Sequence, residues 1–97
     1  MPTYLSLINF TDQGIRNIKE SPKRLDATKR ALQKLGGQLK SFYLTQGSFD
    51  GGLIFELPNE EALTTFLLTT GAAGNVRTTT VRAFTEEEYR QHIKALS

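Results

Sequence analysis

The segment GGQLKSFYLTQGSFDGGLIFELP, residues 36–58, decides the fold of this chain of 97 residues. Apolar and polar side chains alternate in both of its halves, as they do in strands that bury one face. The apolar positions on the buried face are Phe42 and Leu44 in the first half, and Leu53, Phe55 and Leu57 in the second. The intervening residues 47–51, GSFDG, have the composition of a turn. The pattern therefore predicts a hairpin of two antiparallel strands over residues 38–45 and 52–57.

A helix is predicted on each side of this hairpin. Ser21-Pro22 begins the first, with Ser as N-cap and Pro at the first helical position, and Gly36-Gly37 ends it. Pro58-Asn59 begins the second, and Gly71 and Gly74 bracket its end. The buried stripes of the two helices are Leu25, Leu32 and Leu35, and Leu63, Phe66 and Leu67. A shorter helix is expected over residues 11–19, after the first strand.

Two more strands complete the pattern. Residues 3–10 and 76–84 are rich in β-prone side chains, and Thr85 and Glu88 form a capping box for a short C-terminal helix. The order is therefore β, α, β, β, α, β and a terminal helix. With right-handed crossovers it closes as a ferredoxin-like α+β sandwich, a single domain over residues 1–97. Its antiparallel sheet has strand order 4-1-3-2, with both main helices on one face.

Composition excludes several classes of function. Twelve basic and ten acidic residues give a net charge of +2, and cysteine is absent, which rules out disulfides, thiolate metal sites and a cysteine nucleophile. Basic residues cluster between positions 16 and 40, but no aromatic residue lies among them, so we interpret them as a solvated helix face and expect no nucleic-acid partner. No signal-peptide pattern and no apolar run of ~20 residues is present, so we expect a cytoplasmic protein without a membrane partner.

Candidate catalytic and metal-binding residues are few. His92 is the only histidine and has no second ligand at a suitable spacing. The consecutive residues Glu86–Glu88 point in different directions on a helix and cannot converge on one ion. We therefore predict no metal and no cofactor, and the sequence assigns no catalytic residue. Lys23 and Arg24 place positive charge at a helix start, against the helix dipole, which leaves an anion contact open. The alternative is that the nearby carboxylates of Glu20 and Asp26 offset this charge.

Three segments resemble the GYD domain family of small bacterial proteins. They are TDQGIRNIKESPKRLDA (11–27), GGQLKSFYLTQGSFD (36–50) and GNVRTTTVRAFTEEE (74–88). The family is named after a Gly-x-Tyr-Asp turn, and Gly47-Ser48-Phe49-Asp50 has Phe in the place of Tyr. The resemblance implies a ferredoxin-like fold of the dimeric α/β-barrel type. It does not imply one activity, because the wider fold includes haem-degrading monooxygenases, small isomerases and ligand binders.

The sheet face opposite the helices is expected to carry a self-association surface. We place Tyr4, Ile8, Tyr43 and Ile54 on it, and an exposed face of this kind predicts a homodimer or a larger homo-oligomer. The mixed residues of the same face are the candidates for a pocket or interface, and they are Tyr4, Tyr43, Glu56, Thr80 and Arg82. We expect Glu56 and Arg82 to pair there, because an isolated charge on a covered face is costly.

A second candidate site lies at one end of the sheet. The predicted topology brings together the end of strand one, the turn of the hairpin and the start of strand four. The candidate ligand-binding residues of this rim are Asp12, Gln13, Phe49, Asp50, Asn75 and Arg77. Such a rim would suit a small polar ligand. The alternative is that its glycines serve turns, and that Asp12 caps a helix and pairs with Arg77.

Three functions remain open from the sequence. The first is a non-catalytic, self-associating module that binds a small molecule or an interaction partner. The second is an enzyme of the isomerase or monooxygenase type that needs little cofactor and uses the barrel pocket. The third is a purely structural or assembly protein.

Overall fold

The computed structural model describes residues 1–96. The strands are β1 (Thr3–Phe10), β2 (Gln38–Leu44), β3 (Gly51–Glu56) and β4 (Val76–Ala83). The helices are α1 (Asp12–Arg16), α2 (Ser21–Lys34), α3 (Glu60–Ala73) and α4 (Glu86–Lys94), with a 3-10 turn at Ile18–Glu20. The sheet order is β2-β3-β1-β4, and every neighbouring pair is antiparallel. This is the predicted order 4-1-3-2 read from the other edge, so the ferredoxin-like fold is confirmed.

The helix ends follow their capping residues, with one exception. Asn59 accepts a hydrogen bond from the Ala62 amide at the start of α3, and Gly74 ends α3 with φ of 80°. Ser21 was predicted as the N-cap of α2, and this is wrong: Ser21 has helical dihedral angles of −55° and −41°. The 3-10 turn before it leads directly into α2, so no extended residue precedes the helix. No helix within residues 1–96 is long and apolar enough to span a membrane.

The helices cover the sheet face that carries Tyr4. This side chain is 3% exposed, and its ring lies 5.6 Å from the Phe55 ring, which in turn lies 5.1 Å from Phe66 on α3. In the strand register, Tyr4 lies opposite Phe55 and Arg82. Side chains directly opposite each other in neighbouring strands share a face. The buried core residues are Tyr4, Ile8, Leu32, Leu53, Phe55, Leu57 and Phe66.

The prediction that Tyr4, Ile8, Thr80 and Arg82 lie on the open face is therefore wrong. The even-numbered and the odd-numbered side chains of β1 form two rows on opposite faces, and both rows contain large apolar residues, so alternation alone does not say which row faces the helices. The cross-strand partner decides it, since Phe55 and Leu53 must be buried and β1 pairs its even-numbered residues with them.

The open face is formed by the other row of each strand. At its centre Leu5 lies opposite Ile54 on one side and Val81 on the other. Tyr43 of β2 is also on this face and is 63% exposed. Tyr43, Ile54 and Glu56 thus lie on the predicted face. Its apolar centre consists of Leu5, Leu7, Ile54 and Val81 rather than of the tyrosine and isoleucine of the buried row.

Helix α4 begins with the predicted capping box. The Thr85 hydroxyl accepts from the Glu88 amide at 3.1 Å, and the Glu88 carboxylate accepts from the Thr85 amide at 2.9 Å. The bond from the Thr85 amide is the main reason why the pKa of Glu88 lies below its ordinary value of 4.5, and nearby Arg82 lowers it further. The large apolar side chains on and just after α4, which are Tyr89, Ile93 and Leu96, are exposed to solvent.

Candidate functional site

A groove separates the two main helices. Helix α2 packs over β2 and helix α3 over β4, so the sheet forms the floor between them. The groove has a volume of about 720 Å³. Its floor includes Ser6, Ile8, Phe10, Phe42, Leu53 and Val76. Its walls include Leu25, Thr28 and Ala31 of α2, and Thr65, Phe66 and Thr69 of α3. The small residues Ala31, Thr65 and Thr69 leave room that larger side chains would fill.

The lining is apolar with hydroxyl groups and two cations. Arg24 and Lys34 of α2 are the charged residues that line the groove, and no carboxylate of residues 1–96 lines it. The buried hydroxyl of Ser6, 2% exposed, shares a hydrogen bond of 2.8 Å with the Thr80 hydroxyl. This bond satisfies a polar group on an otherwise apolar floor. The groove can thus accept an apolar molecule, and Arg24 and Lys34 place positive charge in its lining.

Arg24 is held in place by the backbone of the preceding turn. Its Nη1 donates to the Asn17 carbonyl at 3.0 Å, and its Nη2 donates to the Gly14 carbonyl at 3.2 Å. The side chain is half-buried. The sequence left an anion contact open at Arg24, because its charge opposes the helix dipole, but it did not place the residue in a site. The missing information was spatial, because the two carbonyls lie in the segment before α2.

The predicted rim at one end of the sheet does form. The Thr11 amide donates to the Asn75 carbonyl at 3.1 Å, the Gln13 side-chain amide donates to Asn75 Oδ1 at 3.0 Å, and the Phe10 amide donates to Asp50 Oδ2 at 2.9 Å. The prediction that the three segments meet at one end is confirmed by these contacts. Each of these contacts joins two groups of the protein itself, so much of the hydrogen-bonding capacity of the rim is already used within the fold.

Gly14 makes the contact between α1 and the start of β4 possible. A Cβ atom at this position would lie 1.9 Å from the Asn75 carbonyl oxygen, far inside van der Waals contact. Thr11 completes the junction, since its hydroxyl donates to the Gly74 carbonyl at 2.6 Å and accepts from the Gly14 amide at 3.1 Å. Thr11 rather than Asp12 is therefore the N-cap of α1. The predicted topology brought the two segments together, but the close approach of Gly14 to Asn75 could not be read from the sequence, because it depends on how α1 packs against the start of β4.

The remaining rim candidates lie apart from the groove. Asp12 is exposed in the first turn of α1, and Arg77 is exposed on the open face opposite Asn9. The predicted alternative of an Asp12–Arg77 pair is wrong for the described chain, whose ion pairs are Lys23–Glu20, Arg82–Glu88 and Arg90–Glu86. Phe49 is half-buried, and its carbonyl accepts from the Thr45 hydroxyl at 2.6 Å. Of the six rim candidates, Asn75 lines the groove.

The predicted pairing of Glu56 with Arg82 is wrong. The two residues lie on opposite faces, since Glu56 is opposite Thr3 and Arg82 is opposite Tyr4. Glu56 instead accepts from the Gln38 side chain at 3.1 Å. The Arg82 guanidinium lies 3.8 Å from the Glu88 carboxylate. Tyr43 stays on the open face and Thr80 on the helix-covered face, so the five pocket or interface candidates do not form one cluster.

No group of three or more metal-binding side chains comes together within residues 1–96. His92 instead packs its ring edge-on against Phe84, with the ring centres 5.1 Å apart. This contact, together with the Arg82–Glu88 pair, holds α4 to the end of β4.

Solved structures share this fold at low sequence identity. MtbAldR has a TM-score of 0.68 at 16% identity, covering 88% of this chain and 52% of its own. A feast or famine regulatory protein from M. tuberculosis complexed with L-methionine has a TM-score of 0.66 at 19% identity, covering 88% of this chain and 51% of its own. This chain therefore spans about half the length of these two proteins. The 30S ribosomal protein S6 from Thermotoga maritima has a TM-score of 0.63 at 15% identity, covering 96% of this chain and 97% of its own.

These similarities establish the fold alone, because proteins of one fold perform many unrelated functions. No curated protein matches the sequence. A family model does match, and it extends from β1 through the turn at Gly47–Asp50 to the last turns of α4. Since the GYD domain model covers residues 4–93, the chain belongs to the GYD domain family.

Proposed function

We propose that this protein is a non-catalytic, self-associating module that binds a small molecule in the groove between α2 and α3. The groove itself is the observation that carries the proposal. Its volume of about 720 Å³ falls within the range of known ligand pockets, roughly 300–1,000 Å³. Apolar walls with a few polar groups at the edge are typical of such pockets.

The chemistry of the lining supports binding rather than catalysis. It supplies hydroxyl groups, the Asn75 amide and the cations Arg24 and Lys34. General acid–base catalysis uses a titratable group such as His, Asp or Glu within reach of the substrate. Among the described residues that line the groove there is no His, Asp or Glu, and the charged residues are Arg24 and Lys34.

The enzyme alternative loses the observation that favoured it. That alternative rested on a mixed face carrying Tyr4, Tyr43, Glu56, Thr80 and Arg82 together. In the strand register, Tyr4, Thr80 and Arg82 belong to the helix-covered row, and Tyr43 and Glu56 to the open row. We therefore propose no reaction for the protein.

The open face supports self-association through the sheet. Leu5, Leu7, Ile54 and Val81 form its apolar centre, and Val81 is 51% exposed. Contiguous apolar surface of this kind is a mark of an interaction site. A second copy packed face to face would cover the same residues on both chains, which is the geometry of a two-fold homodimer.

The rim contributes to ligand binding through Asn75 in this proposal. Asn75 lines the groove at the point where α1 meets β4. Gln13 orients the Asn75 side chain by donating a hydrogen bond to Asn75 Oδ1. Asp50 holds the end of β1 nearby by accepting from the Phe10 amide. Asp12, Phe49 and Arg77 are assigned no ligand contact.

Binding of a neutral apolar dye, Nile red, tests the groove. Ala31 lines it from α2, so Ala31→Trp should fill part of the volume and weaken dye binding at least about tenfold. Ala72→Trp is the matched control, because Ala72 is exposed on α3 and does not line the groove. Equal binding by the two variants, or no binding by the unaltered protein, would refute the proposal.

A further inference from the structure

We propose that the natural ligand of the groove is an amphiphilic anion, with its acid group at Arg24 and its apolar body along the floor. This inference rests on the proposed function and adds to it the chemical class of the ligand. Three features of the groove support it: Arg24 has no counter-ion among the described residues, the charged residues of the lining are positive, and the floor is apolar.

Arg24 is a half-buried cation without a counter-ion. Its two hydrogen bonds go to the Asn17 and Gly14 carbonyls, which fix the guanidinium but carry no net charge. None of the three ion pairs in the described chain includes Arg24. A guanidinium has five N–H donors, so three stay available after these two bonds. A planar acid group such as a carboxylate matches that arrangement and would neutralise the charge.

The positive charge of the lining argues against a cationic ligand. Arg24 and Lys34 both contribute positive charge, and no carboxylate of the described residues lines the groove. Lys34 lies ten residues after Arg24 on α2, about 15 Å along the helix axis. One acid group therefore contacts one of the two. Arg24 is the better anchor because it is half-buried and held, whereas Lys34 is exposed.

The floor determines the rest of the ligand. Beyond the Arg24 end, the groove offers Ile8, Phe42, Leu53 and Phe66, which favour an alkyl or aromatic body. Hydroxyl groups of Thr28 and Thr69 lie on the walls but do not form a dense polar set. A mostly polar metabolite would leave this floor in contact with its polar groups, which is unfavourable.

A set of three probes with one tail length tests the inference on the unaltered protein. The probes are dodecanoate, dodecanol and dodecyltrimethylammonium, each measured by displacement of Nile red. The two ions are used below their critical micelle concentrations, and dodecanol is used below its solubility limit. We expect dodecanoate to bind at least about tenfold more tightly than dodecanol, as a charge-assisted hydrogen bond implies. We expect the cation to bind most weakly. Added salt should weaken dodecanoate binding and leave dodecanol binding unchanged.

Two variants locate the acid group. Arg24→Met should remove the advantage of dodecanoate over dodecanol, while Arg30→Met should keep it. Arg30 provides the matched control because it is exposed on the same helix and does not line the groove. Thermal unfolding followed by circular dichroism checks that both variants fold. If Arg24→Met does not fold, the three-probe series on the unaltered protein still tests the class of ligand, and Arg24→Lys still tests the assignment of the acid group to Arg24.

The outcomes separate this inference from the proposed function. Equal binding of dodecanoate and dodecanol would overturn the inference and leave the binding groove intact. Loss of the advantage in Arg30→Met, or its loss in Lys34→Met with retention in Arg24→Met, would overturn the assignment to Arg24. If no probe displaces Nile red, or if Nile red itself does not bind, the proposed function fails and the inference fails with it.

Discussion

The carboxylate of Asp50 accepts a hydrogen bond from the backbone amide of Phe10 at 2.9 Å, across 40 positions of the sequence. The Asp50 amide in turn donates to the Ile8 carbonyl at 2.8 Å. The ladder between β1 and β3 ends at the pair Ile8–Gly51, so Asp50 extends it with one backbone and one side-chain bond. The aspartate of the Gly-x-Phe-Asp turn thus holds the end of the central strand, directly beside the floor of the groove.

Removal of this carboxylate should lower stability. Asp50→Ala leaves the partly buried Phe10 amide without its acceptor, and we expect a loss of about 1–3 kcal/mol in the free energy of unfolding. Asp50→Asn keeps an acceptor oxygen and should lose less. Urea denaturation at one fixed protein concentration measures both. Asp26→Ala is the control, since Asp26 is exposed on α2, and an equal loss in the control would contradict the structural role of Asp50.

Two glycine-to-alanine changes should have opposite signs. Gly14→Ala places a Cβ atom 1.9 Å from the Asn75 carbonyl oxygen, so α1 must move away from β4. We expect a loss of about 1–3 kcal/mol, the usual cost of overpacking. Gly71→Ala meets nothing within 4 Å and lies inside α3, so it should stabilise the protein by up to about 1 kcal/mol. Midpoints of thermal unfolding that shift in the same direction for both variants would contradict the described contact.

Most of the fold could be predicted from the sequence, because its local signals for helix ends, strands and turns agree with one another. Gly36, Asn59, Gly74 and the Thr85 capping box each mark a helix end where the structure has one. The facing of β1 was not predictable in the same way, since Leu5 and Leu7 are as apolar as Tyr4 and Ile8. The wrong choice there placed Arg82 on the open face and led to the wrong pairing with Glu56.

The candidate site was predictable only in part. The rim follows from strand directions, which the element order determines, so its three segments were expected to meet. The groove depends on how far α2 and α3 diverge over the sheet, and that distance is a property of packing between elements. Arg24 could be recognised as unusual from its position at a helix start, but its two carbonyl partners could not.

A charge on the open face should dissociate the proposed homodimer. Val81 lies on the edge strand β4 within that apolar face and is 51% exposed, so Val81→Lys places an uncompensated charge on each chain in the interface of a face-to-face pair. Light scattering at micromolar concentration should report two chains per particle for the unaltered protein and one for the variant. Leu68→Lys is the control, because Leu68 is 69% exposed on α3, away from the sheet face. A monomeric unaltered protein, or dissociation by both changes, would contradict this interface.

Acid should loosen the start of α4 through Glu88. Its pKa is lowered first by the hydrogen bond from the Thr85 amide, with a further contribution from Arg82. Because the pKa in the folded helix lies below the ordinary value of 4.5, the folded state binds fewer protons than the unfolded one. The stabilising contribution of Glu88 is therefore complete above pH 4.5 and is lost as the pH falls through the lower, folded pKa.

The amide proton of Thr85, observed by NMR, reports this titration directly. Its chemical shift should change with a midpoint below 4.5, together with the loss of the capping box. Glu88→Gln keeps an acceptor for the Thr85 amide but cannot titrate, so the change should disappear. Glu87→Gln should leave it in place, because Glu87 is exposed and takes no part in the cap. A midpoint at or above 4.5, or a titration that persists in Glu88→Gln, would show that another group controls the end of this helix.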